Sequence, residues 1–313
     1  MSPAVLAVDA GQTEIRAALA GDGRGPRTSP GVLRMGGRVG PDEVAAALLA
    51  AVSELGPLPE PVPPVGVGLS GFEAAREDDL RRVGELLRER LALERLAIAS
   101  DGLTSLLGAL GHDDGAVVAA GTGAVAVARR GERLAKVDGW GTLLGDAGSG
   151  FAIGRAGIEL ALREADGRGG SAALLRAAER RYAPVPDLSE EIYAAEVPTR
   201  AVAAFATDVA REAAAGDRDA LAILEEAARE LAVSACAALD RVFEPEVAAV
   251  VSYAGNVFRA GPVLLEPFAR AVASQRPGTE VRPPAADSLA GAAILAAEDG
   301  LRPVPGLLWR AAG

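Results

Sequence analysis

An α/β fold in two lobes is what this sequence predicts, and three observations predict it. The chain has 313 residues, half of them hydrophobic, which exceeds the roughly 250–300 residues at which one core stops growing. Short apolar runs alternate with helical periodicity along the length. A strand, a glycine turn and a second strand occur near the N-terminus and again around Gly121, which looks like an internal duplication of architecture.

The elements follow in order. Ala4-Val-Leu-Ala-Val-Asp9 is a short apolar run broken by Gly11, and Ile15 to Leu19 resumes with small and apolar residues, so the two form a β-hairpin. Pro41-Asp-Glu-Val44 opens a helix in which Val44, Leu48, Leu49, Val52 and Leu55 share one face. The proline-rich LPEPVPP is a connector. Val65 to Leu69 is a buried strand, Asp79 to Leu91 a helix, and Leu96 to Ala99 a strand that leads to Asp101. Val117-Val118, the turn Gly121-Thr122-Gly123 and Val125 to Ala128 repeat the first hairpin. From about Ser149 the pattern is mostly helical, with an irregular stretch containing several prolines from Ala183 to Thr199. A long amphipathic helix covers Asp219 to Val242, Val247 to Val251 is a late strand before Tyr253-Ala-Gly-Asn256, and a small-residue helix closes over Ser288 to Glu298.

Composition narrows the function. The net charge is -11, and the 32 basic residues are spread without a basic block, which argues against nucleic acid as a partner and for a small substrate. No apolar run reaches the roughly 18 residues of a membrane span, so a cytoplasmic enzyme is expected. The lone Cys236 lies in the helical stretch AVSACAALD and reads as a buried structural thiol.

Two turns carry the candidate phosphate chemistry. In Asp9-Ala-Gly11-Gln12-Thr13, glycine lets the backbone approach an anion and threonine adds a hydroxyl donor; a plain tight hairpin is the alternative. Ala119-Ala-Gly121-Thr122-Gly123 offers the same chemistry, and the pair together points to an anion clamp. Asp9 could hold Mg²⁺ through water, since that ion keeps most of its hydration shell and uses one or two carboxylates beside phosphate oxygens. There is neither a Walker A sequence nor a kinase glycine loop with a catalytic HRD.

The acceptor side has two candidates. Asp101, in Ser100-Asp-Gly102 between a strand and a helix, suits a general base at the mouth of a cleft; an Asp capping that helix is the other account. Gly139-Trp140-Gly141-Thr-Leu-Leu-Gly-Asp146-Ala-Gly-Ser149 combines amides able to reach a ligand, an apolar plate and a carboxylate able to accept from hydroxyls. A structural crossover around a buried Trp is the alternative there.

These residues together resemble a known family, the N-acetylglucosamine kinases among the BadF/BadG-type ATPases of the actin, Hsp70 and hexokinase superfamily. The resemblance spans nearly the whole chain and rests on DAGQT, VGLSG at 67–71, the Asp101 segment, AAGTGAVA, GWGTLLGDAGSGFAIG and YAGNVF at 253–258. It implies an actin-like ATPase fold of two RNase H-like lobes around a nucleotide cleft. Residues 1–110 with a returning helix over 286–300 would form the first lobe, and 111–285 the second. It also implies ATP with Mg²⁺ and a sugar phosphorylated at its 6-hydroxyl, in a homodimer. Asp9, Gly11, Gln12, Thr13, Gly121, Thr122, Gly123, Gly255 and Asn256 would hold the nucleotide and metal. Asp101 would be the base, with Ser70, Gly71, Gly139, Trp140, Gly141 and Asp146 around the sugar.

One departure bears on the sugar. The family commonly carries an Asn after the first hairpin that touches the sugar, and this chain reads Leu33-Arg-Met-Gly-Gly-Arg38-Val-Gly40 there, so Arg34 or Arg38 would have to substitute. Glu14 after Thr13 is also less usual than a small or basic residue. Three other functions fit less well. Activators of 2-hydroxyacyl-CoA dehydratases need cysteines for an iron–sulfur cluster between subunits, and only Cys236 is present. A zinc-containing sugar kinase needs a Cys/His cluster, whereas the single His112 sits in a turn with Asp113 and Asp114. A non-catalytic sensor would dispense with the base, yet Asp101 and Asp146 are both there.

Overall fold

Each glycine turn closes a hairpin that begins a mixed sheet. A computed structural model describes residues 4–11, 14–23, 25–31, 39–71 and 77–311. Two compact units emerge: the first comprises Met1–Asp114, Gly131–Leu134 and Pro283–Gly313, the second Gly115–Arg130 and Ala135–Arg282.

The first sheet contains β1 (Val5–Ala10), β2 (Glu14–Ala20), β3 (Arg27–Pro30), β4 (Val65–Leu69), β5 (Leu96–Ser100) and β11 (Leu308–Arg310), in the order β11-β5-β4-β1-β2-β3. β2 is antiparallel to both β1 and β3, β1, β4 and β5 are parallel to one another, and β11 is antiparallel to β5. The near-continuous apolar runs of β4 and β5 suit strands covered on both faces. Leu6, Val8, Ile15, Val67 and Ile98 share a core with Leu48 and Val52 of α1 (Pro41–Ser53) and Val83 and Leu87 of α2 (Glu77–Leu91). On the opposite face Ala7 packs with Leu289 and Ala292 of α11 (Ser288–Ala297), which also lies against α3 (Asp101–Leu110). That approach is close enough to require glycine: a Cβ on Gly291 would stand 1.8 Å from the Thr104 carbonyl oxygen, and one on Gly108 2.0 Å from that of Asp287.

The second sheet contains β6 (Gly115–Ala120), β7 (Ala124–Arg130), β8 (Arg133–Asp138), β9 (Val250–Ala254) and β10 (Glu280–Val281), in the order β10-β9-β6-β7-β8. β6 is antiparallel to β7 and parallel to β9, as β1 is to β2 and β4. Numbered within its own unit, the second sheet runs 3-2-1-4-5 and the first 3-2-1-4-5 with β11 added beyond its fifth strand, so the duplication expected from the two hairpins extends to five strands of each sheet. This is the arrangement of two RNase H-like lobes. Alanines of β6 and β7 pack with α4 (Gly150–Ala165), α5 (Ala172–Arg181), α6 (Leu188–Ala194), α8 (Ala206–Ala214), α9 (Arg218–Asp240) and α10 (Pro262–Gln275). Asp217 caps α9 by accepting from the Ala220 amide at 2.9 Å, worth about 1 kcal/mol at such a position.

Two local expectations are corrected, and two strands were not anticipated. β3 and β8 are strands that no apolar run announces. The stretch from Ala183 to Thr199, expected to be irregular, contains α6 and the start of α7 (Pro198–Ala204), because Pro198 occupies the first helical turn, where its missing N–H costs nothing. The late strand runs over Val250–Ala254 rather than Val247 to Val251.

Candidate active site

In the first unit, three adjacent parallel strands end together. Register pairs Asp9 with Gly68 and Leu69 with Ser100, and the Ser70 amide donates to the Ala10 carbonyl at 2.9 Å. Asp9, Ser70, Gly71 and Asp101 therefore lie along one carboxyl edge, the position where open α/β sheets receive ligands. The Gly11 amide closes the β1–β2 turn onto the Glu14 carbonyl at 2.9 Å. Gln12 and Thr13 fall outside the described residues, as do Arg34 and Arg38.

Asp101 is the first residue of α3, but it is not the cap. Ser100 holds that role, its hydroxyl accepting from the Leu103 amide at 3.2 Å. Capping thus does not account for an aspartate at 101, and the carboxylate sits half-buried where β5 ends.

Asp9 is already engaged. Its Oδ2 accepts from Arg16 Nη2 at 2.5 Å and from Ser288 Oγ at 2.8 Å, while Arg16 Nη1 donates to Asp287 Oδ2 at 2.6 Å. Burial opposes the Arg16 charge, yet the bonds to Asp9 and Asp287 outweigh it and hold the guanidinium above its ordinary value. Burial likewise pushes Asp287 up, but the Ala290 amide and Arg16 prevail and its carboxyl stays below the usual range. Sequence reasoning missed Arg16, although Asp9 and Arg16 are cross-strand partners in the expected hairpin.

In the second unit, β6 and β9 end side by side. Gly255 has φ 95°, and a Cβ there would stand 2.3 Å from the Ala120 carbonyl oxygen. That brings Gly255 and Asn256, both exposed, next to the turn Gly121–Gly123. The turn is anchored to the first turn of α4: Gly150 N donates to Gly121 O at 2.8 Å and Phe151 N to Thr122 O at 3.1 Å. A Cβ on Gly121 would meet open space, so the turn has one uncovered side.

The glycine-rich segment after β8 is held by two carboxylates. Asp138, which sequence reasoning also missed, accepts from Asp146 N at 2.8 Å and Ala147 N at 2.9 Å. Asp146 is buried, and its Oδ1 accepts from Gly141 N at 3.2 Å. Burial pushes its carboxyl up, the Gly141 amide pulls it down, and the charge of Asp138 pushes it up again, so the net direction is upward. Trp140 is 73% exposed, which removes the account of a buried structural Trp. Lys136 Nζ lies 5.2 Å from the Trp140 ring centroid and 3.4 Å from the Gly139 carbonyl it donates to.

Residues 6–296 match the BadF/BadG/BcrA/BcrD ATPase family. The chain belongs to that family. A curated relative, the N-acetylmuramic acid/N-acetylglucosamine kinase of Clostridium acetobutylicum, is 28% identical over 259 residues, 80% of this chain and 82% of the relative. A proposed N-acetylglucosamine kinase from Chromobacterium violaceum is 26% identical, with TM-score 0.71 over 94% of this chain and 99% of that one. A ROK family glucokinase from Streptomyces griseus, solved with glucose and AMPPNP, is 19% identical, with TM-score 0.60 over 94% and 99%, and shares the fold. This BadF/BadG-type ATPase thus has the actin-like fold. Among its described residues no helix is long and apolar enough to cross a membrane, and no group of three or more His, Cys, Asp or Glu could hold a metal. Cys236 is a buried thiol pushed by burial to about 11, which keeps it protonated near neutral pH.

Proposed function

We propose that this ATPase is a sugar kinase that transfers the γ-phosphate of ATP to the 6-hydroxyl of an N-acetylated amino sugar, N-acetylglucosamine first, with Asp101 as general base. The observation that carries the reading is Asp101 itself, an acid at the end of β5 that helix capping does not explain, in line with Asp9 and Ser70. The relatives named for N-acetylglucosamine support the sugar. Asp101 would accept the hydroxyl proton as the sugar oxygen attacks the γ-phosphorus and the bond to the departing ADP oxygen breaks. Gly11, Gln12 and Thr13, and separately Gly121, Thr122 and Gly123, would give backbone and hydroxyl donors to phosphate oxygens, while Gly255 and Asn256 would flank the adenosine. Ser70, Gly71, Gly139, Trp140 and Gly141 would contact the sugar.

Mg²⁺ fits the donor set in one way. The bonds from Arg16 and Ser288 both fall on Oδ2 of Asp9, so Oδ1 is the oxygen suited to a water-mediated contact. The ion would neutralise charge on the β- and γ-phosphates. The family resemblance further implies a cytoplasmic homodimer, which sedimentation of the purified chain would test.

ADP release over a panel of N-acetylated amino sugars, free amino sugars and plain hexoses is the test, with Asp101→Asn as control. N-acetylglucosamine is expected to turn over, and Asp101→Asn to lower kcat by about 10²–10⁴-fold. If no sugar exceeds that control, the chain is instead a sugar or nucleotide sensor of the same fold. If glucosamine is used and N-acetylglucosamine is not, the missing Asn between Leu33 and Gly40 becomes the cause to pursue.

A further inference from the structure

The family match stops at residue 296, near the end of α11, and the chain beyond it folds back onto the first sheet. Val304 and Leu308 close a turn, the amide of each donating to the carbonyl of the other at 2.9 Å, and β11 then runs antiparallel to β5. The strand is packed as well as paired: Leu301, Leu307 and Leu308 are buried, and a Cβ on Gly84 would stand 2.1 Å from the Trp309 indole. Arg310 fastens it to the stretch after α11, Nε donating to the Leu301 carbonyl at 3.1 Å and Nη2 to that of Glu298.

The pairing reaches the last residue of β5. There the Ser100 amide donates to the Leu307 carbonyl at 2.9 Å, while the Ser100 hydroxyl accepts from the Leu103 amide at 3.2 Å, and Ser100 is fully buried. Asp101 therefore follows a residue fixed twice, by β11 through its backbone and by α3 through its side chain. Covering an exposed edge would by itself give a reason for a strand beside β5. It does not account for the difference between the two sheets, because in the second the fifth strand, β10, ends the order and among the described residues none pairs beyond it. The duplicated sheets differ by one strand, and that strand lies beside the one that leads into Asp101.

We propose that β11 is a positioning element for Asp101: by fixing the Ser100 amide it sets where the carboxylate stands relative to the attacking hydroxyl. This deepens the kinase reading and rests on it for the role of Asp101, whereas the hold of β11 on Ser100 does not.

Two full-chain variants at one position test it. Trp309→Pro removes a backbone donor from the middle of β11, opposite Ile98, and so disrupts the pairing. Trp309→Phe keeps that donor and an apolar ring. In Trp309→Pro the Ser100 amide is expected to exchange faster with solvent, and kcat to fall by about 10²-fold, the scale that a misplacement of about 1 Å costs. KM for ATP should not change, since only an interaction realised in the transition state is lost. Trp309→Phe should retain slow exchange and most of kcat. Faster Ser100 exchange with unaltered kcat would reduce β11 to an edge cover and overturn the proposal, as would a fall in kcat with Ser100 exchange unchanged or with a matching rise in KM for ATP. If the unaltered chain phosphorylates no sugar, the kinase reading fails separately. Exchange of the Ser100 and Leu103 amides in Trp309→Pro then decides whether β11 holds this end of β5, slow exchange of both overturning it. Should Trp309→Pro not fold, Arg310→Ala, which frees the same strand at its far end and keeps every backbone donor, is read by the same outcomes.

Discussion

Asp287 does two jobs with one carboxylate: Oδ1 caps α11 through the Ala290 amide at 3.1 Å, and Oδ2 pairs with Arg16 at 2.6 Å. Because its carboxyl is held below the usual value, the stability it contributes is present above about 3.8 and is lost as pH falls through the lower folded value. Asparagine keeps the cap, being about as good an N-cap as aspartate, and removes only the charge. The Asp287 side chain is 56% exposed, so the pair is worth no more than about 1 kcal/mol. Asp287→Asn is therefore expected to melt slightly below the unaltered protein at neutral pH, the gap narrowing as pH drops below about 4. Calorimetry across that range checks it; a gap independent of pH would mean that the Asp9–Arg16–Asp287 chain is held by shape rather than charge.

Helix α11 approaches the backbones of α3 and β4 at Gly291, Gly108 and Gly66, and the cost of filling that contact decides a second prediction. Alanine at Gly291 gains about 1 kcal/mol of helix propensity, but its Cβ would sit 1.8 Å from a backbone oxygen of α3, and overpacking costs about 1–3 kcal/mol or more where neither backbone can yield. The clash wins, so Gly291→Ala is expected to destabilise the first unit. Trp309 reports it: a Cβ on Gly84 of α2 would stand 2.1 Å from the indole, so the ring is packed inside that unit. In a Trp140→Phe background, the urea midpoint read by Trp309 fluorescence should fall; an unchanged midpoint would show that α11 can shift away from α3. Much of this element structure is legible in the sequence. The hairpins show as apolar runs broken by glycine, and α9 shows as a long apolar stripe. β3, reading RTSP, and β8, reading RLAKVD, carry no such run, because edge strands need little burial. β9 slips three residues because the apolar run begins before the chain reaches its pairing partner Ala116. Asp138 and Arg16 escape notice for another reason: their partners are fixed by turn geometry and strand register, which composition does not display.

At the scale of the molecule, a net charge of -11 must accommodate a substrate that is itself a polyanion. In the proposed reaction the amides of the glycine turns would do this at contact distance. Long-range approach is governed instead by the summed charge, and that sum repels a nucleotide. Raising ionic strength from about 0.01 M to about 0.15 M shortens the Debye length from about 30 Å to about 8 Å. The repulsion fades over the range in which contact-distance hydrogen bonds change little. In the proposed reaction kcat/KM for ATP should accordingly rise over that range by about two- to threefold, a modest gain of the sign opposite to steering by a basic surface. A neutral sugar supplies the control, since its kcat/KM has no long-range charge term to screen. If the ATP value falls with salt while the sugar value stays level, a local positive field outweighs the net charge.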